Sequence, residues 1–422
     1  MGTVHIVGAG IAGLACAVRL VRQGHAVRLH EAAAQAGGRC RSYRDAKLDR
    51  LVDNGNHLLL AANRAALAYV DEIGARHTLQ GPPHAAFPFM DLRSGERWTV
   101  RPNRGPLPWW LFSPRRRIPH TRPGAYLAGL RLAIAGPDAT VAGCLDRDDP
   151  LWERFWEPLT VAALNTAPEE ASARLLWLVV RATFARGEAA CRPLIARDGL
   201  AASFVDPALA VLRGGGAEIG FNRRLRAVAF AGDRAQRLDF GETQVELAES
   251  DRLVLAVPPP VAAALLPDLA APQEMRPIVN AHIRLPARPA LPPGLSADLP
   301  LLGLIGGAAH WLTVRGDVVS LTVSAAAEMA EESGGDLAGR LWRDAAAALS
   351  LVLPDDPPVR IVKERRATFA QTPQALRLRP AARTRWANLF LAGDWTDTGY
   401  PATIESAVRS GWAAARAGAE SP

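Results

Sequence analysis

The sequence predicts an α/β fold: a Rossmann-like parallel sheet whose chain is interrupted by an inserted α+β domain. Three observations predict it. A short apolar strand, Thr3–Val7, runs straight into Gly8-Ala9-Gly10-Ile11-Ala12-Gly13 and an apolar-faced helix. A second apolar strand, Asn388–Ala392, ends in Gly393-Asp394 near the far end of the chain. Between them strand-like and helix-like runs fill a length of 422 residues, enough for two or three structural units.

Hydrophobic residues make up 49% of the chain and charged residues 22%, a balance that argues against wholesale disorder. Formal charge is +7, and every basic residue except Lys47 and Lys363 is arginine. Scattered solvated arginines account for that surplus as well as a polyanion site does; a basic membrane-facing surface is the other reading. No nucleic-acid module is recognisable, so no nucleic-acid partner is expected. No run of about 18 apolar residues suits a membrane span, and the N-terminus lacks a secretory signal. Cys16, Cys40, Cys144 and Cys191 form no C-x-x-C pair and have no metal-ligand spacing. No metal is expected, and a reduced, cytoplasmic setting fits. Cys16 falls on the apolar face of the first helix and reads as a buried free thiol.

The elements follow in order. After Thr3–Val7, Gly8 permits a tight turn, Gly10 lets backbone approach a ligand, and Gly13 lets helix pack on strand. Leu14–Gln23 reads as the helix, Gly24 ends it, and Ala26–His30 is a second strand closing on Glu31 and Ala32. A strand–turn–helix–strand unit of this kind binds a dinucleotide pyrophosphate at the helix N-terminus, with Ile11 and Ala12 supplying amides. Glu31, 18 residues after Gly13, suits a ribose hydroxyl pair. Gly37-Gly38-Arg39 comes next, where glycines allow close approach and the arginine neutralises phosphate. Gly214–Gly216 reads as a turn, Glu218–Phe230 as strands, and Asp251–Pro258 as a strand returning to the first sheet. Ile278–Leu285, Leu301–Ile305 and Val318–Val323 read as strands of a second sheet, Asp336–Leu349 as a helix, and Pro286–Pro300 as a loop. After Gly393-Asp394-Trp395, Pro401 suits the start of the last helix.

The Gly37-Gly38-Arg39 segment resembles the second signature of the flavin amine oxidase and phytoene desaturase superfamily, which implies FAD. In that superfamily Asp394 would hold the ribityl chain beside Gly393, and amides near Thr403 and Ile404 would face the flavin's pyrimidine edge. Leu225 lies where the adenine is contacted through backbone. The resemblance implies a discontinuous FAD-binding domain over 1–80, 205–268 and 385–422. A substrate domain would then span 81–204 and 269–384.

Asp53-Asn54-Gly55-Asn56-His57, Asn63–Leu67, Arg154–Leu159 running into Ala162–Thr166, and Gly393–Thr396 with Pro401–Gly411 resemble the hydroxysqualene dehydroxylase family. That family implies reductive removal of a hydroxyl from hydroxysqualene, a long isoprenoid alcohol, to give squalene in hopanoid synthesis. Such chemistry needs a protonated leaving group and a site that excludes water. By the same analogy Gly55, Asn56 and His57 lie beside the flavin. His57 is one candidate proton donor; the alternative is a histidine bonded to cofactor or backbone. Glu157, among aromatics, is the other; the alternative is an arginine-paired surface carboxylate.

An apolar substrate implies delivery from a membrane. Gly105–Ile118, with Trp109-Trp110 and Arg115-Arg116-Arg117, is the candidate doorway, and peripheral attachment to the inner face of a bacterial membrane is expected. The alternative packs those tryptophans inward. Leu175–Val180 lines the substrate path or packs the core. Other isoprenoid enzymes and an external electron donor are expected partners. A phytoene-type desaturase running hydride the other way is the main rival reading. Amine oxidase is a lesser rival, because Ile278–Leu285 carries no lysine and Thr403 is not aromatic. A non-enzymatic flavin scaffold is the third.

Overall fold

The computed structural model describes residues 2–352 and 357–420. Residue 1, the stretch 353–356 and residues 421–422 fall within the expected domain ranges but lie outside the described residues. Five short apolar strands form a parallel sheet in the spatial order Glu218–Gly220, Val27–His30, Val4–Val7, Arg252–Leu255, Leu389–Leu391. In chain order that is third, second, first, fourth, fifth, so the winding reverses beside the first strand, where open α/β sheets bind ligands.

The first helix, Ile11–Arg22, packs against the last, Ile404–Ala419, and against Asp206–Gly214. Gly411 permits the close crossing: a Cβ there would stand 2.2 Å from the Ala12 carbonyl oxygen. Cys16 is buried in this seam as a free thiol, and burial pushes its pKa far up. The helix begins at Ile11, three residues before the expected Leu14. Small residues that read as loop form its opening turn.

Seven strands build the second sheet, in the order Val359–Phe369, Met275–Arg284, Val318–Val323, Trp311–Arg315, Leu301–Ile305, Phe87–Asp91, Arg97–Val100. Neighbours are antiparallel except Leu301–Ile305 beside Phe87–Asp91. Alternation along each strand gives the sheet two faces. One face is aliphatic: Val279, Ala281, Leu312 and Leu321 pack with Leu337, Leu341 and Ala345 of the Gly334–Leu349 helix. Asn280, His282, Ser320, Thr322 and Trp311 alternate with these residues and so occupy the other face. The stretch 286–300 forms no strand or helix, as its prolines led one to expect.

Between residues 109 and 191 lie short helices that the sequence reading left unassigned. They bury Trp110, Trp152, Phe155 and Trp156 in a core shared with Phe87, Trp98, Val100 and Ile305 of the second sheet. Trp152–Trp156 is wound as a π-helix. Most of these helices are a turn or two long and carry no sustained 3.6-residue period, while Ala173–Ala182, ten residues long and amphipathic, reads equally as an apolar run.

Candidate active site

The glycine turn is shaped by what surrounds each glycine. Gly8 has φ +105°, and a Cβ there would meet the Ala256 carbonyl oxygen at 2.4 Å. At Gly13 a Cβ would stand 1.9 Å from the Gly8 carbonyl oxygen. At Gly10 nothing lies within 4 Å of the Cβ position, so this residue faces open space at the helix N-terminus. The second glycine pair folds back onto the first. The Gly37 amide donates to the Ala9 carbonyl at 2.8 Å, and Gly10 and Gly37 form a backbone bridge. Glu31 closes the rim, its carboxylate accepting from the Ala9 amide at 2.7 Å and the Ala33 amide at 2.8 Å. Ala32 is exposed beside it, and Leu225 is buried with Val7 and Leu255.

The two ends of the chain meet here. Arg39 donates to both oxygens of Asp394, each at 2.8 Å. Burial opposes the Arg39 charge, but Asp394 outweighs it and the net displacement is upward. Arg39 is enclosed by protein yet keeps 41% of its side chain accessible, so it borders an internal space. Gly393 has φ +151°, and the Trp395 indole lies against it, 2.3 Å from where a Cβ would be. The Trp395 Nε1–H donates to the Val257 carbonyl at 2.9 Å. Arg379, buried, holds the following turn by donating to the carbonyls of Thr396 and Tyr400. Thr403 caps the last helix, its hydroxyl accepting from the Ser406 amide. The first amides of a helix have no intrahelical acceptor, which leaves Thr403 and Ile404 facing outward from it.

Tested against a flavin dinucleotide, these residues fit. An open backbone position at a helix start, a rim carboxylate, an arginine on an internal space and a second helix start match the demands of pyrophosphate, ribose and an anionic ring edge.

Gly55, Asn56 and His57 lie between this cradle and the second sheet. The His57 ring neighbours Arg39; burial, then the Arg39 charge, lowers its pKa and holds it neutral at physiological pH. Asn56 Nδ2–H donates to Thr322 Oγ1 at 3.0 Å, and a Cβ on Gly55 would be 3.6 Å from Asn280 Nδ2. Glu157 is not brought to this place. It starts the Glu157–Leu164 helix, and its charged neighbours are Glu169, Glu153 and Arg147. Burial, then Glu169 and Glu153, raises its pKa, and no ion pair holds it among the described contacts.

Several residues that organise the site had no role assigned from the sequence, although Asp53 and Asn165 lie in segments that carry the family resemblance. Fully buried Gln371 donates to the Leu164 carbonyl at 2.6 Å and accepts from the Ala402 amide at 2.8 Å, so it ties the helical region to the start of the last helix. Asp53 accepts from Arg315 at 2.7 Å and from the Leu200 amide at 3.0 Å. Asn165, at φ 48°, donates to Thr368 Oγ1 at 3.0 Å and accepts from the Ala325 amide at 2.6 Å. Among the described residues no group of three or more His, Cys, Asp or Glu is placed to hold a metal ion.

This arrangement is that of a flavoenzyme, and the chain belongs to the flavin containing amine oxidoreductases, whose family model matches residues 11–417. The cyclohexylamine oxidase of Brevibacterium oxydans IH-35A shares the fold: TM-score 0.69, 17% identity, 99% of each chain covered. Within the family, the chain belongs with the hydroxysqualene dehydroxylases. It is 49% identical to that of Rhodopseudomonas palustris, over 97% of this chain and 96% of the relative. It is 40% identical to that of Zymomonas mobilis, over 98% of each. A 15-cis-phytoene desaturase of Arabidopsis thaliana stands further off, 24% identical over 97% of this chain and 78% of its own length.

Proposed function

We propose that this chain is an FAD-dependent hydroxysqualene dehydroxylase, which replaces the hydroxyl of a long isoprenoid alcohol by hydrogen and releases squalene and water. The observation that carries the reading is the convergence of the glycine turn, the Arg39–Asp394 pair and the Gly55–His57 loop on one space, in a chain related to hydroxysqualene dehydroxylases over nearly its whole length. Reduced FAD supplies the hydride. Gly10 and the amides of Ile11 and Ala12 hold the pyrophosphate, Glu31 the ribose, Asp394 the ribityl chain, and Thr403 and Ile404 the pyrimidine edge. The helix start at Ile404 favours negative charge there by about 0.3–1 kcal/mol.

The hydroxyl must take a proton as it leaves. His57 is the candidate beside the cradle, but burial and then the Arg39 charge disfavour the imidazolium that would give up this proton, so it must be protonated before it can act. Burial, then Glu169 and Glu153, favours the protonated form of Glu157, which lies among Glu169, Glu153 and Arg147. Water would recapture the cation, so the site must exclude it.

Substrate arrives from a membrane surface. Leu107, Trp109 and Phe112 are exposed, and Leu127, Leu130 and Ile134 extend the patch on the adjoining turns. A cavity of about 650 Å³ beside Trp109 is lined by Arg101, Arg104 and Arg116. Each arginine near an anionic surface contributes about 1 kcal/mol. Only Trp109 of the tandem faces out, at 63% exposed; Trp110 is 4% exposed and packs on Tyr126. No helix among the described residues is long and apolar enough to cross a membrane.

The test is anaerobic: reduce the bound flavin, add hydroxysqualene, follow flavin colour and assay squalene. Reoxidation with matching squalene supports the reading. No reoxidation by flavin-loaded protein turns it toward a desaturase that needs oxidised flavin. The amine oxidase rival gains nothing from Lys363. It lies across from Val279, on the aliphatic side of the sheet, and bonds the Glu332 carbonyl.

A further inference from the structure

One rung crosses the second sheet without interruption. Asn280 pairs with Thr322, Thr322 with Trp311, Trp311 with Gly303, Gly303 with Phe89, and Phe89 with Trp98. Residues paired across strands share a face, so these side chains form one row on the face opposite the aliphatic core. From Asn280 to Phe89 it spans four strand spacings, about 19 Å.

The row is polar at one end and aromatic at the other. Gly303 is its low point: a Cβ there would meet the Phe89 ring at 2.4 Å, so the ring lies across it. Phe89 stacks on Trp98 at 5.8 Å and tilts against Trp311 at 5.6 Å. At the polar end the hydrogen bonds have one direction. Asn280 Nδ2–H donates to the Asn54 carbonyl at 3.3 Å, which turns its Oδ1 to accept from Thr322 Oγ1–H at 2.8 Å. The Thr322 oxygen must then accept, and it does so from Asn56 Nδ2–H at 3.0 Å. Asn56 is thereby held with its carbonyl oxygen and second N–H turned away from Thr322. It is half-buried, two residues from Asn54 and beside His57.

We infer that this rung is the track for the isoprenoid alcohol. Its chain lies along Trp311 and the Phe89 ring that covers Gly303, and Asn56 binds its hydroxyl. Thr322 and Asn280 are positioning residues that fix the Asn56 amide. A single amide can both donate to a hydroxyl oxygen and accept its hydrogen, which a hydrocarbon product cannot reciprocate. Product therefore binds less tightly than substrate at the same place.

The inference rests on the proposed function, and titration of the oxidised holoenzyme with hydroxysqualene and with squalene, read by flavin absorbance, tests it separately. Asn56→Ala should weaken hydroxysqualene binding about tenfold and leave squalene binding unchanged. Thr322→Val should do the same, and Thr322→Ser should restore it. Trp311→Ala should weaken both ligands alike. An unchanged hydroxysqualene-to-squalene ratio in Asn56→Ala and Thr322→Val, or unchanged binding of both ligands in Trp311→Ala, overturns the track in an otherwise active enzyme. Should Thr322→Val not fold, Asn56→Ala decides, since it leaves the Thr322–Asn280 bond intact. Wild-type holoenzyme that yields no squalene overturns the function and the track with it.

Discussion

Replacing Gly10 with valine should empty the cradle of flavin without loosening the fold. Gly10 has φ −73° and ψ 176°, extended backbone that any residue adopts, and no atom lies within 4 Å of its Cβ position. The apoprotein should therefore melt as wild type does, or gain up to about 1 kcal/mol from a stiffer unfolded chain. Bound pyrophosphate would lie where the new methyls go. Losing two hydrogen bonds to a charged group costs about 3–6 kcal/mol, at least a hundredfold in affinity. Gly13→Ala is the control with the opposite balance. Its Cβ would stand 1.9 Å from the Gly8 oxygen, so apoprotein stability should fall by about 1–3 kcal/mol. The assay is the ratio of 450 nm to 280 nm absorbance after gel filtration, with urea melts of both apoproteins. A fully yellow Gly10→Val protein would refute the phosphate-turn assignment. A destabilised but flavin-free one would refute the claim that this position is structurally idle.

Acid should destabilise the fold between about pH 6.5 and 4. Burial lowers His30 to about 3 and His282 to about 4, so unfolded chains take up protons below pH 6.5 that the folded one refuses. Each of these groups removes about 1.4 kcal/mol per pH unit over that window, and a flat urea midpoint across it would contradict the assignment. Gly393→Ala should cost about 1–3 kcal/mol and reduce flavin retention, because its Cβ would strike the Trp395 ring at a positive φ; melting and absorbance ratio check both. Trp109→Ser with Phe112→Ser should weaken binding to anionic liposomes at unchanged melting temperature. Trp110→Ser should instead cost about 3–5 kcal/mol of stability, and equal melting temperatures for the two variants would count against the division of labour between neighbouring tryptophans.

The cradle was legible because its parts are local. Gly8 to Gly13, Glu31 and Gly393-Asp394 each sit where a strand stops, and a strand end followed by glycine is visible in a single window. The Arg39–Asp394 pair was not legible as a pair, since 355 residues separate its members. Gln371 was invisible for a sharper reason: its function is to satisfy backbone groups at Leu164 and Ala402, and backbone groups have no sequence. The rung across the second sheet is a property of register. Trp311 and Thr322 lie on strands the sequence suggests only in part, and which residues face each other depends on turns that differ from one hairpin to the next. Trp109 and Trp110 show the limit of composition. Identical neighbours on a short 3₁₀ turn point in opposite directions, and the packing of Tyr126 and Phe184 on Trp110 tells them apart.

The order of strands in the parallel sheet has a bearing on how the protein is made. Val4–Val7 leaves the ribosome first, yet its neighbour Arg252–Leu255 is synthesised some 250 residues later, and Leu389–Leu391 closes that edge only near the end of translation. Throughout synthesis the earliest apolar helix, Ile11–Arg22, lacks the partner that will cover it, Ile404–Ala419. The nascent chain is thus committed to waiting with a sticky segment exposed, the condition under which chaperones are recruited and aggregation competes. A chain cut short before Gly393 cannot complete the cradle. On the function proposed above, a chain truncated before Gly393 should stay colourless, so cofactor capture would report completeness.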